Sequence, residues 1–420
     1  MTDSAKAFLR SLADAAIEAA DPNVRVPAVL PDAPERAIII GAGKASAAMA
    51  RALESAWPDT ELSGVVVTRY GYEVACGRIE IVAAAHPVPD EAGRIAAQKI
   101  LAAAKAAGEG DLVIALISGG GSALLTAPAE GISFADKQDV NRQLLRSGAD
   151  IGEMNTLRKH ISAIKGGRLA EAAYPARLLT VLISDVPGDD PAVIASGPTV
   201  PDPTTFADAH AVVEKYHLDL PESVRRHLDA AADETPKPGD KVFDKTDLVF
   251  AAKPDKSIAA AAAVAKAAGY TVVDLGDQLE GEARDLCAEH AALALQCKAG
   301  TGPAKTPCVI LSGGETTVTM TGNGRGGRNT EYLLGMALAL NGADGIHAVA
   351  CDTDGVDGSE DNAGAFIGPG TMIAAENSGL NVADALATND AYTLFDNIGA
   401  LLVTGPTFTN VNDFRAIVVL

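Results

Sequence analysis

The chain has 420 residues, 48% of them hydrophobic and 21% charged. That length exceeds one ordinary core and predicts two soluble globular domains. Lys and Arg number 34 against 55 Asp and Glu, a formal charge of −21, which argues against nucleic acid or an anionic membrane as partner. Aromatic residues are only 4%, so the core must be built from Ala, Val, Leu and Ile. Five scattered cysteines (Cys76, Cys287, Cys297, Cys308 and Cys351) form no CxxC pair. They argue against structural disulfides and a thiolate zinc site and favour a reducing compartment.

The N-terminus predicts an amphipathic helix, with Phe8, Leu9, Leu12, Ala16 and Ile17 at helical spacing. It carries Asp3, Asp14 and Glu18 and no basic region before an apolar run, unlike a signal peptide. No stretch approaches the roughly 18 apolar residues of a membrane span, because the best one, 258–268, is mostly alanine broken by Lys266. A cytoplasmic protein is expected. Strands are expected at 37–40, 65–68, 79–84, 112–117 and 178–184, with helices such as 46–55 and 91–107 between them. This alternation predicts an α/β fold: a larger N-terminal domain with a Rossmann-like parallel sheet and helices on both faces, then a smaller C-terminal α/β domain. The polar, Pro/Gly-containing stretch 231–244 reads as the domain boundary or a long surface loop; as the boundary it gives domains 1–238 and 239–420. After it, strands are expected at 248–252, 270–274, from Cys308, 348–351, 400–403 and 416–420, with helices at 257–268 and 282–296.

Twice a strand runs into Ser-Gly-Gly, at Ser118-Gly119-Gly120-Gly121-Ser122 and at Ser312-Gly313-Gly314-Glu315. Glycine loops at the carboxyl ends of parallel strands let backbone N–H groups approach an anion. Two of them predict two α/β halves facing a common cleft. Ser122 is placed to cap the helix that follows. Gly41-Ala42-Gly43-Lys44-Ala45-Ser46 is neither a Walker loop nor a complete GxGxxG. It sets Lys44 at a helix N-terminus, where an anion-binding lysine and a solvated one are equally open. His86 lies in a rigid Pro-rich connector and reads as structural.

Within 155–169, Arg158, Ser162 and Lys165 fall on one helical face, and Gly166-Gly167 inside that helical pattern points to close packing or a ligand. Asp185, Asp189 and Asp190 follow a strand and precede Ser196-Gly197, where carboxylates can hold Mg²⁺ or accept a hydroxyl proton. One of the three should be only a turn residue. Gly322 to Asn329 sets Arg325 and Arg328 among glycines, and Asp352 to Gly358 repeats the aspartate arrangement. There a Mg²⁺ or nucleotide role and a plain Asp-Gly turn both stand.

In order, GAGKAS at 41–46, HPVPD at 86–90, SGGGSAL at 118–124 and TLRKHISAIKGGRLA at 156–170 resemble the glycerate 2-kinase family. So do SDVPGDD and IASGPT within 184–199, SGGET at 312–316, GRGGRNTE at 324–331 and DTDGVDG at 352–358. The C-terminal part of that family, here about 307–420, is called the MOFRL domain. Phe408 departs from the pattern, where a glycine is expected. The resemblance implies ATP-dependent phosphorylation of D-glycerate at its 2-hydroxyl with Mg²⁺, in a cleft between domains. It also implies small-molecule partners alone, with a homodimer compatible.

On this basis Lys44 and Arg325 are expected at the transferring phosphoryl group, with Arg328 or Arg158 on the glycerate carboxylate. Asp189 or Asp185 would take the hydroxyl proton, and Asp352 and Asp354 would hold Mg²⁺. Ser118, Gly119, Gly120, Gly121, Ser122, Asn155, Lys165, Ser196, Gly197, Glu315 and Asn329 complete the expected binding set. Two alternatives are an NAD(P)H-dependent hydroxypyruvate reductase, for which Glu61 has the right spacing, and a non-catalytic sensor of a sugar acid or phosphate.

Overall fold

Two sheets organise the computed structural model, which describes residues 3–420. The first contains β1 (Arg36–Ala42), β2 (Glu61–Arg69), β3 (Glu80–Ala84), β4 (Leu112–Ile117), β5 (Arg177–Ile183) and β6 (Thr246–Ala252). Their order is β3-β2-β1-β4-β5-β6, and β1 pairs in parallel with both β2 and β4. Strands β4 and β5 are buried almost throughout, as expected for parallel strands covered on both faces. The order reverses between β1 and β4. In open α/β sheets, ligands bind beyond the carboxyl ends of strands at that point.

The second sheet contains β7 (Thr271–Asp274), β8 (Leu279–Glu282), β9 (Cys308–Thr317), β10 (Ile346–Asp352), β11 (Gly364–Ile367), β12 (Leu401–Leu402) and β13 (Asp413–Val419). Its path is β12-β11-β10-β13-β9-β7, with β8 also on β9, and β13 is antiparallel to both β9 and β10. Alternate side chains divide between two cores, as a period of two requires. Cys308, Ile310, Ala348, Ala350, Ile417 and Val419 join helices Ala283–Lys298 and Arg328–Leu340. Val309, Leu311, Val349, Cys351, Ala416 and Val418 join helices Asp3–Glu18 and Pro254–Ala267.

The chain divides into two units by contacts. The parallel-sheet unit is Pro22–Ser184 with Asp189–Ala251. The mixed-sheet unit takes the segment through Asp21, Asp185–Gly188 and Ala252–Leu420. This differs from the expected 1–238 and 239–420. The N-terminal helix buries Leu9, Leu12, Ala13 and Ala16 in the mixed-sheet core. The polar stretch near 238 is followed by β6, which extends the first sheet next to β5. Polarity therefore marked a surface loop rather than a boundary.

Ser312-Gly313-Gly314 is not a loop. It lies inside β9, paired with Arg415, Phe414 and Asp413 of β13 on one side and, through Gly314, with Leu279 of β8 on the other. A Cβ on Gly314 would meet the Leu279 carbonyl oxygen at 2.1 Å, and its φ is +122°. The glycine answers strand packing, and a paired strand stands where a second anion loop was expected. Phe408, where the sequence pattern expects glycine, has φ 60°. That left-handed conformation costs a bulky residue of the order of 1–3 kcal/mol and explains why glycine suits the position.

Gly314→Ala should destabilise the mixed-sheet unit by roughly 2–5 kcal/mol, because both the backbone oxygen and the positive φ resist a methyl group. A thermal melt followed by circular dichroism should fall by several degrees. A melt matching the parent would show that β8 and β9 tolerate a side chain there.

Candidate active site

The turn after β1 and the glycine loop after β4 meet at the sheet's switch point. Ser118 Oγ accepts from the Ala45 N–H at 3.0 Å and lies 3.2 Å from Ser46 Oγ, at the start of helix Ser46–Ala56. The Lys44 N–H donates to the Gly119 carbonyl at 2.8 Å. Gly43 is required here: a Cβ would lie 2.1 Å from Ser118 Oγ. The Ser118 hydroxyl and the Gly119 carbonyl thus lock two turns together. Gly121 is buried with its Cβ direction closed by Ala195. Of the expected nest, Gly120, at φ 78°, and Ser122 line one cavity. Lys44 and His86 lie beside Gly120, since a Cβ there would be 3.4 Å from Lys44 Cγ and 3.1 Å from the His86 ring. Ser122 lies inside the short helix Gly121–Leu124, with Gly120 at the N-cap, so it does not cap.

The cavity is about 180 Å³, and Lys137, Arg158 and Lys165 point into it. Arg158 comes from helix Ile151–His160, which begins at a capping box formed by Asp150 and Glu153. That helix ends at His160, and the next, Arg168–Ala173, starts after Gly167. The expected continuous helix through 169 is therefore broken, with Gly166 and Gly167 both left-handed. The Gly166 and Gly167 N–H groups donate to the carbonyls of Ser196 and Gly197 at 3.1 and 2.8 Å. The break turns Lys165 back toward the cavity that Arg158 also lines.

Lys165 Nζ donates to the Ser122 carbonyl at 2.7 Å and lies 3.1 Å from Ser122 Oγ. Ser122 Oγ is 2.7 Å from Ser196 Oγ, which donates to Asn155 Oδ1 at 2.9 Å. Asn155, Ser196 and Gly197 therefore sit behind the cavity wall and fix Ser122. Ala195 and Ser196 both have positive φ, at 52° and 62°, as does Asp189 at 54°. A run of strained non-glycine residues held by surrounding hydrogen bonds is characteristic of functional loops. Asp190 is the plain turn residue, accepting from the Ala192 N–H at 2.9 Å.

Lys137 was not expected. It lies on helix Phe134–Ser147 with Val140 and Leu144 as the helix's buried residues, and its Nζ donates to the Ile161 carbonyl at 2.9 Å. A lysine in register with an apolar stripe was the signal that could have found it. Arg158 Nε donates to Asn141 Oδ1 at 2.8 Å. Burial, reinforced by the Arg158 charge, pushes the Lys137 amine down to about 7. Burial and then the charges of Lys137 and Arg158 push Lys165 well below its usual value. Neither lysine has a carboxylate partner among the residues lining the cavity.

The mixed-sheet unit holds its charges differently. Arg328 Nε binds both oxygens of Asp413 at 2.8 and 2.9 Å, and Nη2 binds Asp352 at 2.9 Å. Glu315 approaches at 3.4 Å. Burial opposes the charge, yet Asp413, Asp352 and Glu315 hold this guanidinium well above its usual pKa. Asn329 links Asp357 to Asp413, and Asp357 receives the Asn329 and Thr330 N–H groups at the start of helix Arg328–Leu340. The fully buried Arg415 adds a bond to Asp413 at 2.7 Å and stacks 5.3 Å from Tyr332. Arg328 and Asn329 are thus held inside a network, and Arg328 does not offer a free fork to a substrate carboxylate.

Arg325 is exposed, pairs with Glu360 and lies 4.3 Å over Tyr392. Asp352 Oδ1 accepts from the Asp354 N–H and Asp354 Oδ1 from the Val356 N–H, at 3.0 and 2.8 Å. Among the described residues no three His, Cys, Asp or Glu side chains gather as a metal cage. Two carboxylates suit a Mg²⁺ that keeps waters and phosphate oxygens as its other ligands. Asp185 belongs with this unit, bound by Asn410 and Asn412 at 2.8 Å each.

Two predictions separate these arrangements. Lys137 binds its proton less readily in the fold than in the unfolded chain. The unfolded state therefore holds more protons between about pH 7 and 10.5, and stability rises with pH across that window. Lys137→Met should reduce this slope, leaving the share due to Lys165, and raise the melting point at pH 7; an unchanged melting point and slope would place Lys137 in solvent. Arg328→Ala should instead destabilise by about 3–5 kcal/mol, because it strands buried carboxylates. A variant with the parent's melt and only a raised KM would restore Arg328 to substrate binding.

Comparisons with known proteins agree over both halves of the chain. Residues 8–229 match a family described as a domain of unknown function, DUF4147, and 308–413 match the MOFRL family. An Agrobacterium vitis protein carrying a provisional hydroxypyruvate reductase name is 54% identical over 99% of this chain and 95% of its own. The D-glycerate 2-kinase of Thermotoga maritima is 39% identical over 98% of this chain and 97% of its own. A crystal structure of glycerate kinase from Thermotoga maritima superposes with a TM-score of 0.90 at 37% identity, covering 100% of both chains. With this agreement in sequence and fold along its whole length, the chain belongs to the glycerate 2-kinase family, with a MOFRL-family domain in its C-terminal part.

Proposed function

We propose that the protein transfers the γ-phosphoryl group of ATP to the 2-hydroxyl of D-glycerate, giving 2-phosphoglycerate. The observation that carries this reading is the parallel-sheet cavity, whose charged lining groups are all basic in a chain of charge −21. Kinship to the Thermotoga maritima D-glycerate 2-kinase names the acid that would fill it. At about 180 Å³ the cavity is smaller than the roughly 300 Å³ at which sites for drug-sized ligands begin, and it suits a three-carbon acid better than a nucleotide.

Arg158 takes the glycerate carboxylate as a planar fork, helped by the buried lysines. Lys44, beside Gly120, meets the charge of the transferring phosphoryl group. Asp189, on the strained loop, accepts the hydroxyl proton. Arg325 would exchange Glu360 for a phosphoryl oxygen, and Asp352 and Asp354 would hold Mg²⁺, which neutralises phosphate charge when bound.

A reductase is the second reading, because the Agrobacterium vitis relative bears that name and the strand order is that of dinucleotide-binding sheets. Glu61 argues against it. This residue opens β2 opposite Arg36, while the turn at Gly41 and Ala42 faces Val66 and Val67. Glu61 is thus at the far end of the sheet, about 20 Å along the strands from a ribose beside that turn.

ADP release on D-glycerate, with NADH followed in parallel on hydroxypyruvate, separates the readings. The proposal expects ADP and no NADH oxidation. NADH oxidation without ADP would establish a reductase, and binding without either would establish a sensor. Lys44→Ala should lower kcat about 100-fold, and Arg158→Lys should raise KM for glycerate about tenfold by losing the fork. Near-parent constants would reject those roles, and phosphorus NMR of the product checks the 2-position.

A further inference from the structure

Taking the proposed function as its basis, we propose that Lys137 and Lys165 make glycerate capture proton-coupled: the cavity takes up the substrate carboxylate together with a proton. The geometry supplies the argument. Three cationic side chains reach one small cavity from separate segments, Lys137 from helix Phe134–Ser147, Arg158 from helix Ile151–His160 and Lys165 from the break that follows it. The polar contacts of the two ammonium groups are all neutral oxygens: the carbonyls of Ile161 and Ser122 and the Ser122 hydroxyl. The remaining titratable group on the lining is His86, with Lys44 beside Gly120. The acids on Lys137's own helix are engaged elsewhere, Asp136 with Ser223 and Asp139 with Arg142 and Gln143.

An ammonium buried among dipoles and like charges is costly, so each lysine sheds its proton more readily than in water. A carboxylate entering the cavity supplies the missing counter-charge to Lys137 and Lys165 at once. Binding therefore raises the proton affinity of the lysines, and by linkage the protonated cavity binds the carboxylate more tightly. The proton passes from solvent to a lysine nitrogen lone pair, and no bond in the substrate changes. The direction is fixed: affinity falls as pH rises above the range where Lys137 titrates.

Titration calorimetry on the full-length protein tests this with D-glycerate as the probe, at pH 7.5 in two buffers of different ionisation enthalpy. Net uptake of a substantial fraction of a proton is expected, together with a Kd that rises about tenfold between pH 7 and 8.5. Lys137→Arg, which keeps its charge throughout, should reduce that rise to the share due to Lys165 while still binding. Lys165→Met, checked for folding by circular dichroism, should weaken binding about tenfold or more at pH 7. Glycerate binding without proton uptake would overturn the inference and leave the kinase reading standing. No glycerate binding at any pH would remove both. Inorganic phosphate and ATP form separate arms: uptake with either of them but not with glycerate would assign the cavity to phosphate and reject the carboxylate.

Discussion

Two buried lysines and a half-buried arginine without a carboxylate partner are the constraint on which the parallel-sheet unit depends. The chain has 21 more acidic than basic groups, so acidic partners were abundant. Yet Lys137 and Lys165 face carbonyls, a hydroxyl and one another's charge. A fold tolerates this only at a cost in stability, and such costs collect where an anion will supply what the protein withholds. The local structure around the cavity follows from that need. The helix breaks before Gly166 to return Lys165, and the strained loop at Ala195 and Ser196 fixes Ser122.

The mixed-sheet unit shows the contrasting solution with the same residue types. Arg415 is as buried as the lysines and Arg328 partly so, but each meets Asp413, and Arg328 also meets Asp352. Asp357 completes the network by holding the start of helix Arg328–Leu340. A paired buried charge organises structure, and an unpaired one awaits a ligand. The partners, rather than the basic residue itself, decide which role it has.

Much of this was legible in the sequence. Continuous apolar runs such as 112–117 and 178–184 marked parallel strands because both their faces are buried. The MOFRL match at 308–413 falls where the family resemblance expected that domain. Glycines misled, because their reasons differ. Gly120 is a left-handed cap beside a cavity, whereas Gly314 makes room for a neighbouring strand. No local pattern separates these. Arginines misled in the same way: Arg328 looked like a loop cation until Asp413, 85 residues away, was placed beside it. Lys137 went unread because a single lysine on an apolar stripe ordinarily snorkels to water. The N-terminal helix read correctly as amphipathic, but the sheet it covers begins some 250 residues later.

The central claim is that the parallel-sheet cavity receives the hydroxy acid by its carboxylate. A crystal structure grown with D-glycerate at about pH 6.5, on the acid side of the value of about 7 to which burial pushes Lys137, tests it most directly. The account predicts carboxylate density within hydrogen-bond distance of Arg158 and at least one of Lys137 and Lys165. Glycerate bound elsewhere, with this cavity holding only water, would contradict it.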